Sequence, residues 1–203
     1  ALTPVDDPSR YGVVPTDPDG KVLGFVEKPP VGKAPTNWIN AGTYVLEPSV
    51  LQRIETGRKV SIERETFPAI VADGGLWAVQ SAAYWADAGT PETYIQIQLD
   101  LLDGVRGAAV NGVAADASVD PSAVIERSVV MSGATVAANA IIRGSIVSMD
   151  AVIGERTLIE GSIVGPRAVV GAGSRITELT MLGDSARVDG DASLAGAKIP
   201  ENK

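Results

Sequence analysis

Histidine and cysteine are both absent from the 203 residues. Without histidine there is no imidazole to act as a general base or a metal ligand. Without cysteine there is no disulfide, no thiolate ligand and no thiol nucleophile, which fits a reducing compartment, and we expect a cytoplasmic protein. Aromatic residues are scarce, with 2 Phe, 3 Trp and 4 Tyr, so any core must be built mainly from aliphatic side chains. No apolar run approaches the roughly 20 residues needed to span a bilayer, and no basic start resembles a signal peptide. There is also no basic run, and the net charge is −8. Phosphate neutralisation needs clustered Lys and Arg, so nucleic acid is not expected as a partner. A nucleotide ligand stays open, because a bound divalent cation can reverse the local sign.

With 45% apolar residues, this length suits two modest domains. The chain starts at Ala1 and enters a strand-like segment at once, which we read as a fragment or processed piece. The last ninety or so residues carry a repeat. A small residue, any residue and an aliphatic residue recur from Ala117/Val119 and Ala123/Ile125 through Ser128/Val130 and onward to Ala192/Leu194. The step is six residues except at Ala123 to Ser128, Ala140 to Ser145 and Thr157 to Ser162, where it is five. Three rungs therefore make one turn of a solenoid 17 or 18 residues long. Each aliphatic residue points inward and stacks on its equivalent one coil away, while small residues fit the corners. Coils at strand spacing rise about 4.7 Å each, so nearly five of them form a prism roughly 22 Å long. An amphipathic helix is excluded by the period, which is poorly matched to 3.6 residues per turn.

The first hundred residues read as α/β. Arg10–Val14 and Lys21–Lys28 are expected to form a hairpin around Asp17-Pro18-Asp19-Gly20, followed by a Pro-rich loop from Pro29 to Asn37. Trp38–Leu46 reads as a strand interrupted at Asn40-Ala41-Gly42, and Pro48–Ile54 as a short helix. Ser61–Asp73 reads as a helix broken near Pro68, and Leu76–Gln80 and Ala83–Asp87 as strands. A helix then starts with Thr90 as N-cap and Pro91 at its first position. The Gly- and Ala-rich stretch from Gly104 to Gly112 marks the domain boundary, giving domains 1–104 and 105–203. Lys198–Lys203 is expected to be a tail or cap.

Several residues invite chemistry. Glu27 and Lys28 sit side by side at a strand end. Neighbouring strand residues face opposite ways, so the pair can serve one ligand only if Pro29 ends the strand and the chain bends; a solvated edge pair is the alternative. A carboxylate accepts hydrogen bonds from sugar hydroxyls, and an ammonium suits a phosphate. Asp87, on a strand face with Trp85, is either a local cap or one carboxylate ligand of a hard cation such as magnesium. Asn40 and Gly42 are either turn chemistry or a sugar-holding amide and backbone group. Glu63 and Glu65 read as favourable charge at a helix start, outside the site.

Taken in order, Tyr11-Gly12-Val13-Val14, Phe25-Val26-Glu27-Lys28-Pro29, Asn40-Ala41-Gly42-Thr43-Tyr44, Ser61-Ile62-Glu63, Phe67-Pro68 and Trp85-Ala86-Asp87-Ala88-Gly89-Thr90-Pro91 resemble the second half of a sugar-1-phosphate nucleotidyltransferase. The repeat behind them resembles the hexapeptide left-handed β-helix, and the left hand comes from that resemblance alone. Together these imply the second half of a Rossmann-like nucleotidyltransferase domain followed by an all-β left-handed parallel β-helix. Ser-Ile-Glu-Arg-Glu-Thr-Phe-Pro and Tyr-Trp-Ala-Asp-Ala-Gly-Thr-Pro are most similar to the mannose-1-phosphate guanylyltransferases. Glucose-1-phosphate thymidylyltransferases share many of the motifs.

The resemblance implies GTP and mannose 1-phosphate as substrates, GDP-mannose and pyrophosphate as products, and Mg2+ as cofactor. Glu27 would accept sugar hydroxyls, Lys28 would bind the sugar phosphate, and Gly12, Asn40 and Gly42 would line the sugar pocket. Asp87 would be one of two metal-binding aspartates; Lys28 and Asp87 would carry the catalysis. The family's Gly-rich nucleotide-binding half and its other aspartate do not occur here, so that half is an expected partner and the chain alone should not turn over. A homo-oligomer is expected, packed through a flat coil face such as that of Ser128, Ser145 and Ser162. Hexapeptide acyltransferases resemble one another in using a histidine base, which this chain lacks. A non-catalytic regulatory subunit of the same fold is the remaining alternative.

Overall fold

A computed structural model describes residues 1–201. It forms two compact units, Ala1–Trp85 and the chain from Ala86 onward.

The first unit is built on a small antiparallel sheet of β1 (Leu2–Pro4), β2 (Gly12–Val13), β3 (Val26–Glu27) and β4 (Trp38–Asn40), in the order β1-β4-β2-β3. The hairpin expected from the Asp-Pro-Asp-Gly turn is present. Gly12 pairs with Glu27 and Val13 with Val26. The Asp17 carboxylate closes the turn by accepting from the Asp19 and Lys21 amides at 3.0 and 2.8 Å. Val13 and Ile39 are wholly buried, and Leu2, Val14 and Val22 form a small apolar cluster.

Three expected elements come out shorter. The strand beginning at Trp38 stops at Asn40, because the Asn40 side chain accepts the Gly42 amide at 3.1 Å and Gly42 takes φ +75°, a turn that ends sheet pairing. Leu76–Gln80 makes only isolated bridges, Lys21 to Trp77 and Leu2 to Gln80. Ala83–Asp87 forms no strand, since nothing among the described residues pairs with it. Trp85 and Asp87 therefore share no strand face. Pro48–Arg53 is a 3-10 helix. The expected helix over 61–73 is two pieces, a π-turn at Ile62–Thr66 and then α1 (Phe67–Ala72), with Pro68 in the first turn of α1.

In the second unit the repeat becomes three parallel five-stranded sheets. Pairing links Val129 to Ile146 and Ile146 to Ile163, 17 residues on each time, then Ile163 to Met181, 18 on. The aliphatic residue of each rung points inward, and Val130, Val136, Ile142, Val147, Ile153, Ile159, Val164, Val170 and Ile176 are essentially inaccessible. Burying side chains of this size contributes about 1.5–3 kcal/mol each.

The five-residue steps now have a physical reason. The three serines that end these steps form a ladder of two bonds, in which the hydroxyl of Ser128 accepts the Ser145 amide and that of Ser145 accepts the Ser162 amide, both at 3.1 Å. Each hydroxyl donates in turn to the carbonyl two residues back. The extra residue of the 18-residue coil sits at Glu178-Leu179, both at positive φ, where the other coils have a single such residue, Arg127, Gly144, Gly161 or Gly196. Coil spacing also forbids side chains at some corners. A Cβ on Gly154 would lie 2.5 Å from the Ala172 nitrogen.

The coil extends beyond the expected ends. Val113 bridges to Val130. Lys198–Ile199 is not a tail but pairs with Met181–Leu182, while Asn202 and Lys203 lie outside the described residues. The helix capped by Thr90, α2 (Pro91–Leu102), has the expected start and a capping box with Thr93. It lies on the sheet containing Val129, Ile146 and Ile163, which pack against Tyr94, Ile95, Leu99 and Leu102. The face of Ser128, Ser145 and Ser162 is therefore not open to a second copy. Its serines are buried and its outer residues are covered by the chain's own helix.

Candidate functional site

The groups singled out at Gly12, Glu27, Lys28, Asn40 and Gly42 all lie in the first unit, on β2, β3, β4 and the turns that end them. Gly12 stands directly across from Glu27. A Cβ there would meet Phe25 at 2.9 Å and a Glu27 carboxylate oxygen at 3.2 Å, so the missing side chain is what makes room for the carboxylate. The strand ends at Glu27. Lys28 then adopts φ +48°, an uncommon conformation for a side-chain-bearing residue, with its amide bonded to the Tyr11 carbonyl at 3.0 Å. This is the bend that a shared ligand requires. The Lys28 ammonium is exposed and has no hydrogen-bond or ion-pair partner among the described residues.

Asn40 is more committed than its sequence position indicates. Its carbonyl takes the Gly42 amide, and its NH2 donates to the Tyr44 hydroxyl and to Glu63 Oε1, each at 2.5 Å. Tyr44 donates to the same Glu63 oxygen at 3.3 Å. Burial, then the adjacent Glu63 carboxylate, raises the Tyr44 phenol above its ordinary pKa although the Asn40 bond opposes this, so the phenol stays protonated and donates. Phe67 is buried against Tyr44 and Phe25, with ring centroids 4.8 and 5.8 Å away. The cavity beside these rings is about 40 Å³, too small for a sugar.

Glu63 belongs to this network, although its position in the sequence marks it only as charge at a helix start. A Ser-Ile-Glu-Arg-Glu run has no mark that separates a helix-dipole carboxylate from a ligand-facing one. The distinction is made by Asn40, 23 residues earlier. Glu65 does act locally, accepting from Arg58 and the Ser61 amide, and these bonds hold its carboxyl below the usual range. Trp85 donates its indole N–H to the Ala41 carbonyl at 3.2 Å and packs edge-on to Tyr11, fastening the chain to the Asn40–Gly42 turn.

Asp87 belongs to the second unit. Its carboxylate is exposed, accepts no hydrogen bond among the described residues and curls over Gly89, so it is not the cap of α2; Thr90 is. No group of three or more acidic side chains among the described residues is arranged to hold a metal. A single free carboxylate does fit a magnesium ion that takes its other ligands from water and phosphate oxygens.

The chain belongs to the nucleotidyl transferase family, whose model matches residues 1–104, and residues 110–203 match the model of the GMPPB C-terminal domain. Among curated relatives it is similar to the mannose-1-phosphate guanylyltransferase of Mycobacterium tuberculosis, 40% identical over 65% of this chain and 37% of that protein. It is 44% identical to a probable mannose-1-phosphate guanylyltransferase 1 of Oryza sativa, over 64% of this chain and 36% of that one. It thus spans little more than a third of the length of the relatives it matches. A solved acetyltransferase domain of PglB from Neisseria gonorrhoeae is 28% identical over 43% of this chain and 50% of its own, with a TM-score of 0.36, too low to carry a functional argument.

Proposed function

We propose that this chain is the sugar-phosphate side of an enzyme joining GTP to mannose 1-phosphate, with GDP-mannose and pyrophosphate as products. The observation that carries this reading is the pair Glu27 and Lys28. The left-handed bend at Lys28 and the open space at Gly12 allow a half-buried carboxylate and an unpaired ammonium to serve one ligand. The names of the relatives supply the base and the sugar. Residues 1–104 form the sugar-phosphate part of the catalytic domain, completed by a nucleotide-binding half, and residues 105–203 form the assembly part.

Glu27 accepts the sugar hydroxyls and Lys28 holds the phosphate. Asn40, through Glu63 and the Gly42 turn, fixes the edge on which the sugar rests. A phosphate oxygen of the sugar forms a bond to the α-phosphorus of the nucleotide, and the bond from that phosphorus to the bridging oxygen breaks as pyrophosphate departs. No general base is needed, because a phosphate monoester is already largely anionic near pH 7. A magnesium ion, held in part by Asp87, would offset the charge of the triphosphate. The residues of this chain contribute alignment and charge balance. We place the enzyme in the cytoplasm, in keeping with its lack of cysteine; no helix among the described residues is long and apolar enough to cross a membrane. We further propose a homo-oligomer that uses a coil face not covered by α2.

The test is pyrophosphate release by the full-length protein, crossing GTP, dTTP, UTP and ATP with mannose 1-phosphate and glucose 1-phosphate. Preference for GTP with mannose 1-phosphate is expected, with Lys28→Gln and Asp87→Asn each lowering kcat by roughly 10²-fold or more. Preference for dTTP with glucose 1-phosphate keeps the mechanism and changes the substrates. No release with any pair overturns the enzyme reading in favour of a regulatory subunit.

A further inference from the structure

The π-turn at Ile62–Thr66 sends three consecutive charges to three places. Glu63 goes to Asn40 and Tyr44, Glu65 to Arg58, and Arg64 to Glu27. Such turns concentrate at functional sites, and here the turn brings Arg64 to the carboxylate that the sugar needs. The contact is loose. Arg64 Nη2 lies 3.8 Å from Glu27 Oε1, beyond hydrogen-bonding distance, whereas Arg53, Arg58 and Arg143 reach their carboxylates at 2.5–2.8 Å. The Arg64 side chain is 66% exposed and makes no hydrogen bond among the described residues, so its guanidinium is held near the site by charge with its donors free.

Charge balance gives that position a purpose. Glu27 and Glu63 against Lys28 leave the site net negative, yet its proposed ligand carries about −1.5 to −2 on its phosphate at pH 7. Arg64 makes the four groups neutral before the ligand arrives. A guanidinium also matches phosphate with two parallel N–H bonds, which an ammonium cannot do.

We propose that Arg64 is a second phosphate-binding residue, paired with Glu27 in the free protein and transferred to the sugar phosphate on binding, which releases Glu27 to accept sugar hydroxyls. This rests on the function proposed above. The test uses full-length protein, titrated calorimetrically with mannose 1-phosphate and with mannose, and assayed for KM and kcat. Arg64→Gln should weaken mannose 1-phosphate by about 10- to 100-fold, as for loss of a charge-assisted bond, and raise KM more than it lowers kcat. Arg64→Lys should recover part of the loss. Parent binding should strengthen as pH rises through the second phosphate pKa of about 6, and Arg64→Gln should flatten that rise. Parent protein that binds mannose 1-phosphate while Arg64→Gln binds it within twofold overturns this assignment alone, as does an equal loss of affinity for uncharged mannose. Parent protein that binds and turns over no sugar phosphate overturns the function reading and this assignment together.

Discussion

The coil and the first unit solve the problem of a polar backbone in opposite ways. In the coil, one geometric rule repeated every 17 or 18 residues pairs the strands in register and stacks the aliphatic side chains, so each residue's role repeats one coil later. In the first unit the strands are two or three residues long, and order depends on single side chains such as Asn40, Asp17 and Trp85 bonded to backbone groups. Stability in the first case is spread over equivalent layers; in the second it is concentrated where the candidate site lies. Substitutions should therefore separate cleanly into those that affect folding and those that affect ligand binding.

The largest effect should come from the middle of the stack. Ile159 is completely buried between Ile142 and Ile176. Ile159→Ala should cost about 2–5 kcal/mol, as for other large-to-small core changes, measured by urea unfolding. The activity of full-length protein that remains folded should be unchanged, since the lesion lies in the coil and not in the first unit. Loss of activity with stability intact would break the division of labour.

Asn40→Ala is the converse. It removes both short bonds from Asn40 and the turn bond to Gly42. Because Glu63 keeps Tyr44 as a donor and is only partly buried, the stability cost should be about 1–2 kcal/mol. Affinity for mannose 1-phosphate should fall well beyond what that destabilisation explains, as Glu63 and the turn lose their anchor. Unchanged affinity in calorimetry would remove Asn40 from the site.

The same contrast explains what was legible in the sequence. Periodicity is a local property, and every rung from Val119 to Leu194 could be placed from it, as could the Thr90 cap and the Asp17 turn. The strand lengths were not legible, because a β-rich run such as Ala83–Asp87 becomes a strand only if a neighbour pairs with it, and none of the described residues does. Lys198–Ile199, by contrast, was legible: Ala197-Lys198-Ile199 continues the small-x-aliphatic pattern one five-residue step beyond Ala192, and it pairs with Met181–Leu182. The covered coil face was missed because the outward positions Val129, Ile146 and Ile163 look like any other exposed column until α2 is laid on them. At the candidate site, the motifs nominate Glu27, Lys28, Asn40 and Gly42, and the fold places all four in the first unit. Glu63 and Arg64 are not nominated, because their partners lie far away in sequence.

Ser145→Ala tests the coil's own polar device. The hydroxyl accepts the buried Ser162 amide and donates to the Arg143 carbonyl. Its loss leaves one buried donor without a partner, at about 1–3 kcal/mol, with the lower end expected because alanine occupies equivalent small positions elsewhere in the coil. Ser145→Thr keeps the hydroxyl and should recover the bond but crowd a corner where the serine is wholly buried. If Ser145→Ala were as stable as the parent in urea, the five-residue step would need another explanation than the hydroxyl ladder.

The smallest effect is one of pH. The fold raises the pKa of Tyr44 above its ordinary 10.0, chiefly by burial and secondly, against the Asn40 bond, through Glu63. Between the unfolded and folded values the unfolded chain has released a proton that the native state retains, so the stabilising contribution is complete below pH 10 and is lost as pH rises through the folded value. The partial burial of the phenol keeps this effect modest. Tyr44→Phe removes the titrating group while keeping the ring against Phe67, so the fall in thermal midpoint between about pH 9 and pH 11 should be steeper in the parent than in Tyr44→Phe. At pH 7 the same variant should lose only the bonds to Asn40 and Glu63. Identical midpoint curves for parent and Tyr44→Phe across the alkaline range would mean that the hydroxyl is not held in the Asn40–Glu63 network, and that the first unit depends less on single polar side chains than the comparison with the coil requires.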